Sequence, residues 1–291
     1  MTPLSDTWHL VLAGHGRSPR PDVLSRREAF VGRAHRLAPV DEPHDVDLRA
    51  ARTTAASVAA EWGLSLGAAF SLSRYSYVAP VVGLDAVLKV AWEGDDESLH
   101  EAEALSLWDG DGAVRLLRVD PGRRVLLEER AVPGTDIRDL DDDAAMEAAI
   151  EVGLRLWRPA AEPFRPIGEH VPRWLANNPS PLTPLAQELW SSLEPGRHLV
   201  HGDFHHHNVL RHGRRFVAID PKPYLADREY DVYPWLHNPL DYDMTPERTE
   251  ARIAHFVAAG LDEQRIRAWA VIRGAYLTDD PGELAVLRGL A

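Results

Sequence analysis

The sequence predicts an α+β chain of two lobes. The first, over residues 1–130, is an antiparallel five-stranded sheet with one helix, preceded by an arm and helix over residues 1–60; the second, over residues 131–291, is mainly helical and carries a β-hairpin. Three observations predict this. Alternating β-type patterning is confined to the stretch from Ala69 to Arg130, Pro133-Gly134 interrupts it, and helical periodicity dominates from Asp142 onward except between Asn208 and Asp220.

At 291 residues and 45% hydrophobic content the chain can bury a large core. It contains no Cys, so disulfides, thiolate metal sites and thiol nucleophiles are excluded. A formal net charge of -13 argues against a nucleic-acid surface and suits a neutral or cationic small partner, although it serves solubility equally well. No apolar run is long enough to span a membrane, and the N-terminus lacks a signal pattern, so a cytoplasmic location without membrane partners is expected.

Eight Arg fall between Arg17 and Arg52, and the arm they mark has no sustained period. A helix is expected over Leu48 to Trp62, capped by Asp47 and ended by Gly63. Three strands should follow at Phe70-Ser71-Leu72, Tyr77 to Val82 and Ala86 to Val90. The turn over Ser73 to Tyr77 sits where a loop covering a nucleotide would sit. Ser76 could bind phosphate there, or the segment is a polar turn. Lys89 lies among Val87, Leu88 and Val90, so it must reach solvent or pair with an acid. On a helix capped by Asp95 or Asp96 and running to Leu107, Glu101 shares a face with Leu105 and Trp108, which makes it the preferred partner over Glu97 near the solvated start. Strands over Ala113 to Val119 and Val125 to Arg130 complete the sheet. The link through Glu129 and Ala131 to Pro133-Gly134 is either a hinge whose backbone meets an adenine edge or a plain loop.

In the second lobe, Asp139 to Asp143 cap a helix with Met146, Ile150, Gly153 and Trp157 on one face. Thr183-Pro184 and Thr245-Pro246 open two more, Gly260 closes the second, and Asp262 caps the last. Between them stands His201-Gly202-Asp203-Phe204-His205-His206-His207-Asn208, followed by a strand, the turn His212-Gly213-Arg214-Arg215, a strand, and Ile219-Asp220-Pro221. Phosphoryl transfer asks the protein for little covalent work and much positioning. It needs one group to orient the acceptor hydroxyl and oxygen ligands for metal ions. A hairpin brings Asn208 and Asp220 together as Mg²⁺ ligands and leaves Asp203 to face the hydroxyl. With the hinge and the two lobes, this is a protein-kinase-like layout. The four His with two Asp would alternatively suit a zinc-dependent hydrolase, and the run could be an ordinary loop.

The segments Ser76-Tyr77-Val78-Ala79-Pro80-Val81, Leu88-Lys89-Val90, His100-Glu101-Ala102, Glu129-Arg130 before Pro133-Gly134, His201 to Leu210, Ala218 to Pro223 and Tyr230-Asp231-Val232 resemble the aminoglycoside phosphotransferase-like kinases, in their streptomycin 6-phosphotransferase and hydroxyurea phosphotransferase branch. The resemblance runs from Trp62 to Tyr276. It implies ATP- and Mg²⁺-dependent phosphorylation of a hydroxyl on a small, often cationic, antibiotic-like acceptor. Asp203 would be catalytic, Asn208 and Asp220 would bind metal, and Lys89, held by Glu101, would contact the α- and β-phosphates. His201 and Asp231 would support the catalytic loop. Streptomycin is the first acceptor implied; hydroxyurea or another metabolite is the second, and a nucleotide-binding module without transfer is a different class. For a polycationic acceptor, Glu229, Asp241, Asp243 and Glu247 are candidate contacts, unless they are a solvated acidic surface. Pro221 stands where protein kinases carry Gly, and no long activation segment follows.

Overall fold

The computed structural model describes residues 47–71, 73, 75–138, 140–239 and 243–291. The arginine-rich arm, Leu72, Arg74, Asp139 and Asp241 lie outside the described residues.

Helix α1 (Arg49–Trp62) opens with the Asp47 carboxylate accepting the Arg49 N–H at 2.9 Å and closes at Gly63, whose φ of 68° suits a residue without Cβ. Strands β1 (Ser76–Pro80) and β2 (Ala86–Ala91) form a hairpin, and α2 (Glu101–Trp108) leads to β3 (Leu116–Asp120) and β4 (Val125–Glu129). The four strands make one antiparallel sheet in the order β1-β2-β4-β3. Its period-2 alternation separates two faces. Leu88, Val90 and Val125 pack with Tyr77 and Leu127 against α1. The pairs Val78↔Lys89, Ser76↔Ala91, Lys89↔Leu126 and Val87↔Glu128 put Ser76, Lys89, Leu126 and Glu128 on the other face.

Three expectations for this region need correction. Phe70-Ser71 is not a strand: Leu66 bridges Val81 and Phe70 N–H reaches Val78 O at 2.9 Å, leaving four regular strands instead of five. The helix expected from Asp95 begins only at Glu101, because Asp95 caps a turn by accepting the Glu97 N–H. The segment at Pro133-Gly134 is not only a break. Pro133–Asp136 forms β5, which pairs with the first strand of the hairpin that follows Asn208.

Beyond it come α3 (Asp142–Leu156), β6 (Arg158–Pro159), α4 (Val171–Asn177), α5 (Thr183–Ser192) and β7 (His198–Val200). The hairpin of β8 (Val209–His212) and β9 (Arg215–Ala218) follows, then β10 (Tyr224–Ala226), α6 (Tyr233–His237), α7 (Pro246–Ala258), α8 (Glu263–Leu277) and α9 (Pro281–Arg288). Side-chain oxygens of Asp141, Thr245 and Asp262 cap α3, α7 and α8. Asp141 is thus the capping member of its acidic run, with Asp142 and Asp143 in the first turn, where they oppose the positive end of the helix dipole. The two small sheets, β10-β7-β6 and β5-β8-β9, lie among these helices and hold the candidate catalytic loop, residues 201–208, between β7 and β8. A continuous core runs from Leu105 and Trp108 on α2 through Met146 and Trp157 to Phe204, Trp235 and Trp269. Among the described residues no helix is long and apolar enough to cross a membrane.

Candidate active site

The catalytic loop is held from behind by Asp231, which is fully buried. One of its carboxylate oxygens accepts the His201 N–H (2.7 Å) and the Trp157 Nε1–H (2.9 Å); the other accepts the Gly202 N–H (2.8 Å). Charge-assisted bonds to two successive backbone amides fix the turn that presents Asp203. Arg273 adds a second support from α8, donating to Gly202 O (3.0 Å) and Tyr230 O (2.9 Å). The His201 ring is buried, stacks on Trp108, donates Nε2–H to Ile219 O (2.9 Å) and accepts the Asp203 N–H at Nδ1 (3.3 Å). That pair of bonds defines a neutral imidazole, in keeping with burial that pushes its pKa down.

Gly202 could not be another residue. Its φ is 84°, and a Cβ there would lie 1.9 Å from Lys222 O. Gly202→Ala is expected to cost about 3 kcal/mol through backbone strain and overpacking. A chemical-denaturation midpoint equal to wild type would contradict this.

At the hairpin, Val209↔Ala218 pairing and the Ile219 N–H to Asn208 O bond (3.0 Å) bring Asn208 beside Asp220. Asn208 donates Nδ2–H to Asp203 O (2.9 Å) and Asp203 Oδ2 (3.2 Å), so its amide oxygen points away from Asp203. From the sheet, Lys89 Nζ reaches Glu101 Oε1 and Asp220 Oδ1, each at 2.5 Å. Burial works against the Lys89 charge, but Asp220, Glu101 and Glu128 outweigh it and raise its pKa. Burial raises the Glu101 and Glu128 carboxyls against the opposing pull of Lys89, and the neighbouring acids add to the rise. Glu128 is 5% exposed and its Oε1 has no hydrogen-bond partner.

Asp203 is partly exposed at the loop tip, with His205 Nε2 at 3.5 Å. Burial would raise its pKa, but His205, Lys222 and His201 hold it well below the usual carboxylate range. Asp220 is held low too: Lys89 and then Lys222 overcome the opposing effect of burial.

The four histidines diverge, which answers the zinc alternative. His201 faces Ile219, His205 faces Asp203, His207 bonds Asp136 (2.8 Å), and His206 turns inward against Trp235. Burial pushes His206 down to about 2. Among the described residues no three His, Cys, Asp or Glu gather as a metal cage.

Ser76 is buried on the Lys89 face of the sheet. At the crossover, the Glu129 side chain binds the Arg115 N–H (3.3 Å) and His212 (3.4 Å). The hairpin turn engages Val132: its N–H donates to His212 Nδ1 and its O accepts the Gly213 N–H. Among the acceptor candidates, Glu229 is corrected. It is buried, and its Oε1 accepts the Asp262 N–H at 3.0 Å, so its charge serves the start of α8. Asp243 and Glu247 are exposed before and within the first turn of α7. Lys222 and Glu97 were not singled out as site residues by the sequence, yet they meet at 2.9 Å beside the catalytic loop.

The comparisons with known proteins agree with this geometry. Residues 62–278 match the family model described as aminoglycoside/hydroxyurea antibiotic resistance kinase. The chain is 32% identical to streptomycin 6-kinase of Streptomyces glaucescens over 233 residues, covering 72% of this chain and 75% of that protein. It is 33% identical to hydroxyurea phosphotransferase of Kitasatospora aureofaciens over 249 residues, covering 77% and 72%. A thermostable mutant of aminoglycoside phosphotransferase APH(4)-Ia, in ternary complex with ADP and hygromycin B, superposes with a TM-score of 0.55 at 18% identity, over 81% of this chain and 95% of that one; at that identity it speaks to the fold alone. A kinase-type lysine, acid and hairpin, on a chain matched over most of its length, make this protein a small-molecule kinase belonging to the aminoglycoside/hydroxyurea antibiotic resistance kinase family.

Proposed function

We propose that the chain transfers the γ-phosphoryl group of ATP to a hydroxyl of a small, cationic, antibiotic-like acceptor, with streptomycin and its 6-hydroxyl as the leading case. Hydroxyurea or another small metabolite is the alternative within the same chemistry. The observation that carries the reading is the convergence of Lys89, Glu101 and Asp220 with Asn208 and Asp203. In this reading residues 1–130 form a nucleotide-binding lobe and residues 131–291 a catalytic and acceptor-binding lobe, in a cytoplasmic enzyme. Ser76 and the backbone from Glu129 to Ala131 line the nucleotide side.

The donor set fits Mg²⁺. An amide oxygen and a half-exposed carboxylate beside each other are hard ligands, and Mg²⁺ completes its shell with phosphate oxygens and water instead of an all-protein cage. A Mg²⁺ held by Asn208 and Asp220 would neutralise charge on the phosphate oxygens. Lys89 lies on the sheet face above them, poised for the α- and β-phosphates once Asp220 turns to metal. The acceptor oxygen forms a bond to the γ-phosphorus, the bond to the bridging oxygen breaks, and ADP leaves with the electron pair. The acceptor proton passes to Asp203. Since that carboxylate is a weak base, it orients the hydroxyl first and takes the proton late, which a loose transition state allows.

The test is release of ADP that requires Mg²⁺ and rises with acceptor, measured across streptomycin, other aminoglycosides and hydroxyurea. A non-catalytic module would bind nucleotide and release none; a zinc hydrolase would need no ATP. Lys89→Met is expected to lower kcat/KM for ATP by about 10²–10³, read from initial rates at varied ATP. Wild-type kcat/KM in that variant would remove Lys89 from the site.

A further inference from the structure

The reading above leaves a lysine unused. Lys222 stands two residues beyond Asp220, and its backbone is locked to the catalytic loop on both sides of Gly202. Its N–H donates to His201 O at 2.8 Å, and its carbonyl is the group that excludes a Cβ from Gly202. Whatever Lys222 reaches, it reaches in fixed register with Asp203. Its side chain crosses toward the sheet portion, where Nζ bonds Glu97 Oε2 at 2.9 Å and lies 5.7 Å from the centre of the Tyr75 ring, in the turn leading into β1. The ammonium therefore sits where the catalytic loop, the segment before α2 and the nucleotide-side turn meet, and Asp203 and Asp220 both feel its charge.

Phosphoryl transfer spreads negative charge over the equatorial oxygens of the moving group. Lys89 is held between Glu101 and Asp220 and is assigned above to the α- and β-phosphates, and the loop from His201 to Asn208 contains no Lys or Arg. Its histidines are engaged elsewhere: His201 is a buried neutral ring, His206 is turned inward against Trp235, His207 bonds Asp136, and His205 faces Asp203. A lysine whose backbone is tied to the loop itself, in contrast, keeps its register with Asp203 when its side chain turns from one anion to another.

We propose that Lys222 is a catalytic residue that binds the γ-phosphoryl group during transfer, with Glu97 as the counter-ion that parks it when no γ-phosphate is present. This rests on the reading of the chain as an ATP-dependent kinase. Lys222 exchanges one anionic partner for another and neither gains nor loses a proton. A Lys222–Glu97 bridge that merely ties the two portions together would behave differently, because removing either partner would then have the same effect.

The test compares the full wild-type chain with Lys222→Met, Lys222→Arg and Glu97→Gln by calorimetric titration with Mg²⁺-ADP and with a Mg²⁺-bound non-hydrolysable ATP analogue. Lys222→Met should weaken the analogue about tenfold or more and leave ADP within about twofold. Lys222→Arg should keep most of the preference for the analogue, and Glu97→Gln should bind it at least as well as wild type does. Equal loss for both nucleotides in Lys222→Met, an unchanged preference there, or a Glu97→Gln variant that copies Lys222→Met would overturn the proposal. If Lys222→Met does not fold, Glu97→Gln and Lys222→Arg decide it by the same criteria. A wild-type chain that binds neither nucleotide would sink the kinase reading and this proposal together, whereas a wild type that binds both, with an unchanged Lys222→Met, would sink only the role of Lys222.

Discussion

Asp203→Asn is expected to lower acceptor-dependent phosphoryl transfer by about 10³-fold while nucleotide affinity stays within about twofold. The substitution keeps the shape of the side chain and the backbone bond from Asp203 N–H to His201 Nδ1, so the loop should retain its geometry. What it removes is the anion that, in the proposed mechanism, faces the acceptor hydroxyl. It also turns the Asn208 Nδ2–H to Asp203 Oδ2 contact into one that an amide can satisfy only in one orientation. Because His205 and Lys222 beside it hold Asp203 far below the usual carboxylate range, it stays ionised across the working pH range. The acid limb of a pH–rate profile should accordingly not follow its titration. Steady-state rates with acceptor varied, set beside equilibrium binding of ADP, check both halves. Full turnover in the variant would sink the assignment of Asp203.

The second large effect is on stability. Asp231→Ala leaves three donors, the N–H groups of His201 and Gly202 and the indole of Trp157, without their acceptor in a fully buried site. Each unsatisfied buried donor costs about 1–3 kcal/mol, and the loss is shared, so about 3–5 kcal/mol is expected. For a chain of this size that corresponds to a fall in Tm on the order of 10 °C. Asp231→Asn keeps one oxygen and should fall between the two. Transfer should drop in both, since the amides that Asp231 holds are those that present Asp203. An Asp231→Ala protein with wild-type Tm and rate would show that Arg273 and His201 hold the loop without it.

Much of the site was legible because its signals are local. Glu101 could be chosen over Glu97 as the partner of Lys89 because Leu105 and Trp108 share its helical face, and both are buried. Asn208 and Asp220 could be paired because a Gly-containing turn between two short β runs folds the chain back on itself. What escaped depends on contacts between distant segments. Glu97 and Lys222 are 125 positions apart, and Arg273 and Gly202 are 71 apart. No period or spacing links such residues. Its spacing places Glu97 at a solvated helix start, but the helix begins four residues later, and Glu97 meets Lys222 instead. Pro133-Gly134 carries the composition of a turn, yet Pro133–Asp136 becomes a strand because β8 offers it a partner. Glu229 shows the reverse error: an acid in a polar-looking stretch proves to be buried and bound to a backbone N–H.

The central claim is that this lysine, acid and hairpin constellation moves phosphate from ATP to a small hydroxyl-bearing acceptor. Mass spectrometry of streptomycin incubated with the full chain, ATP and Mg²⁺, run in parallel with hydroxyurea and with the Asp203→Asn variant, tests it most directly. The account predicts one phosphate added to an acceptor, ADP formed in equal amount, and neither product with Asp203→Asn. Phosphorylated acceptor at the wild-type rate from the variant, or ATP consumed by the wild type at a rate indifferent to every acceptor, would contradict it.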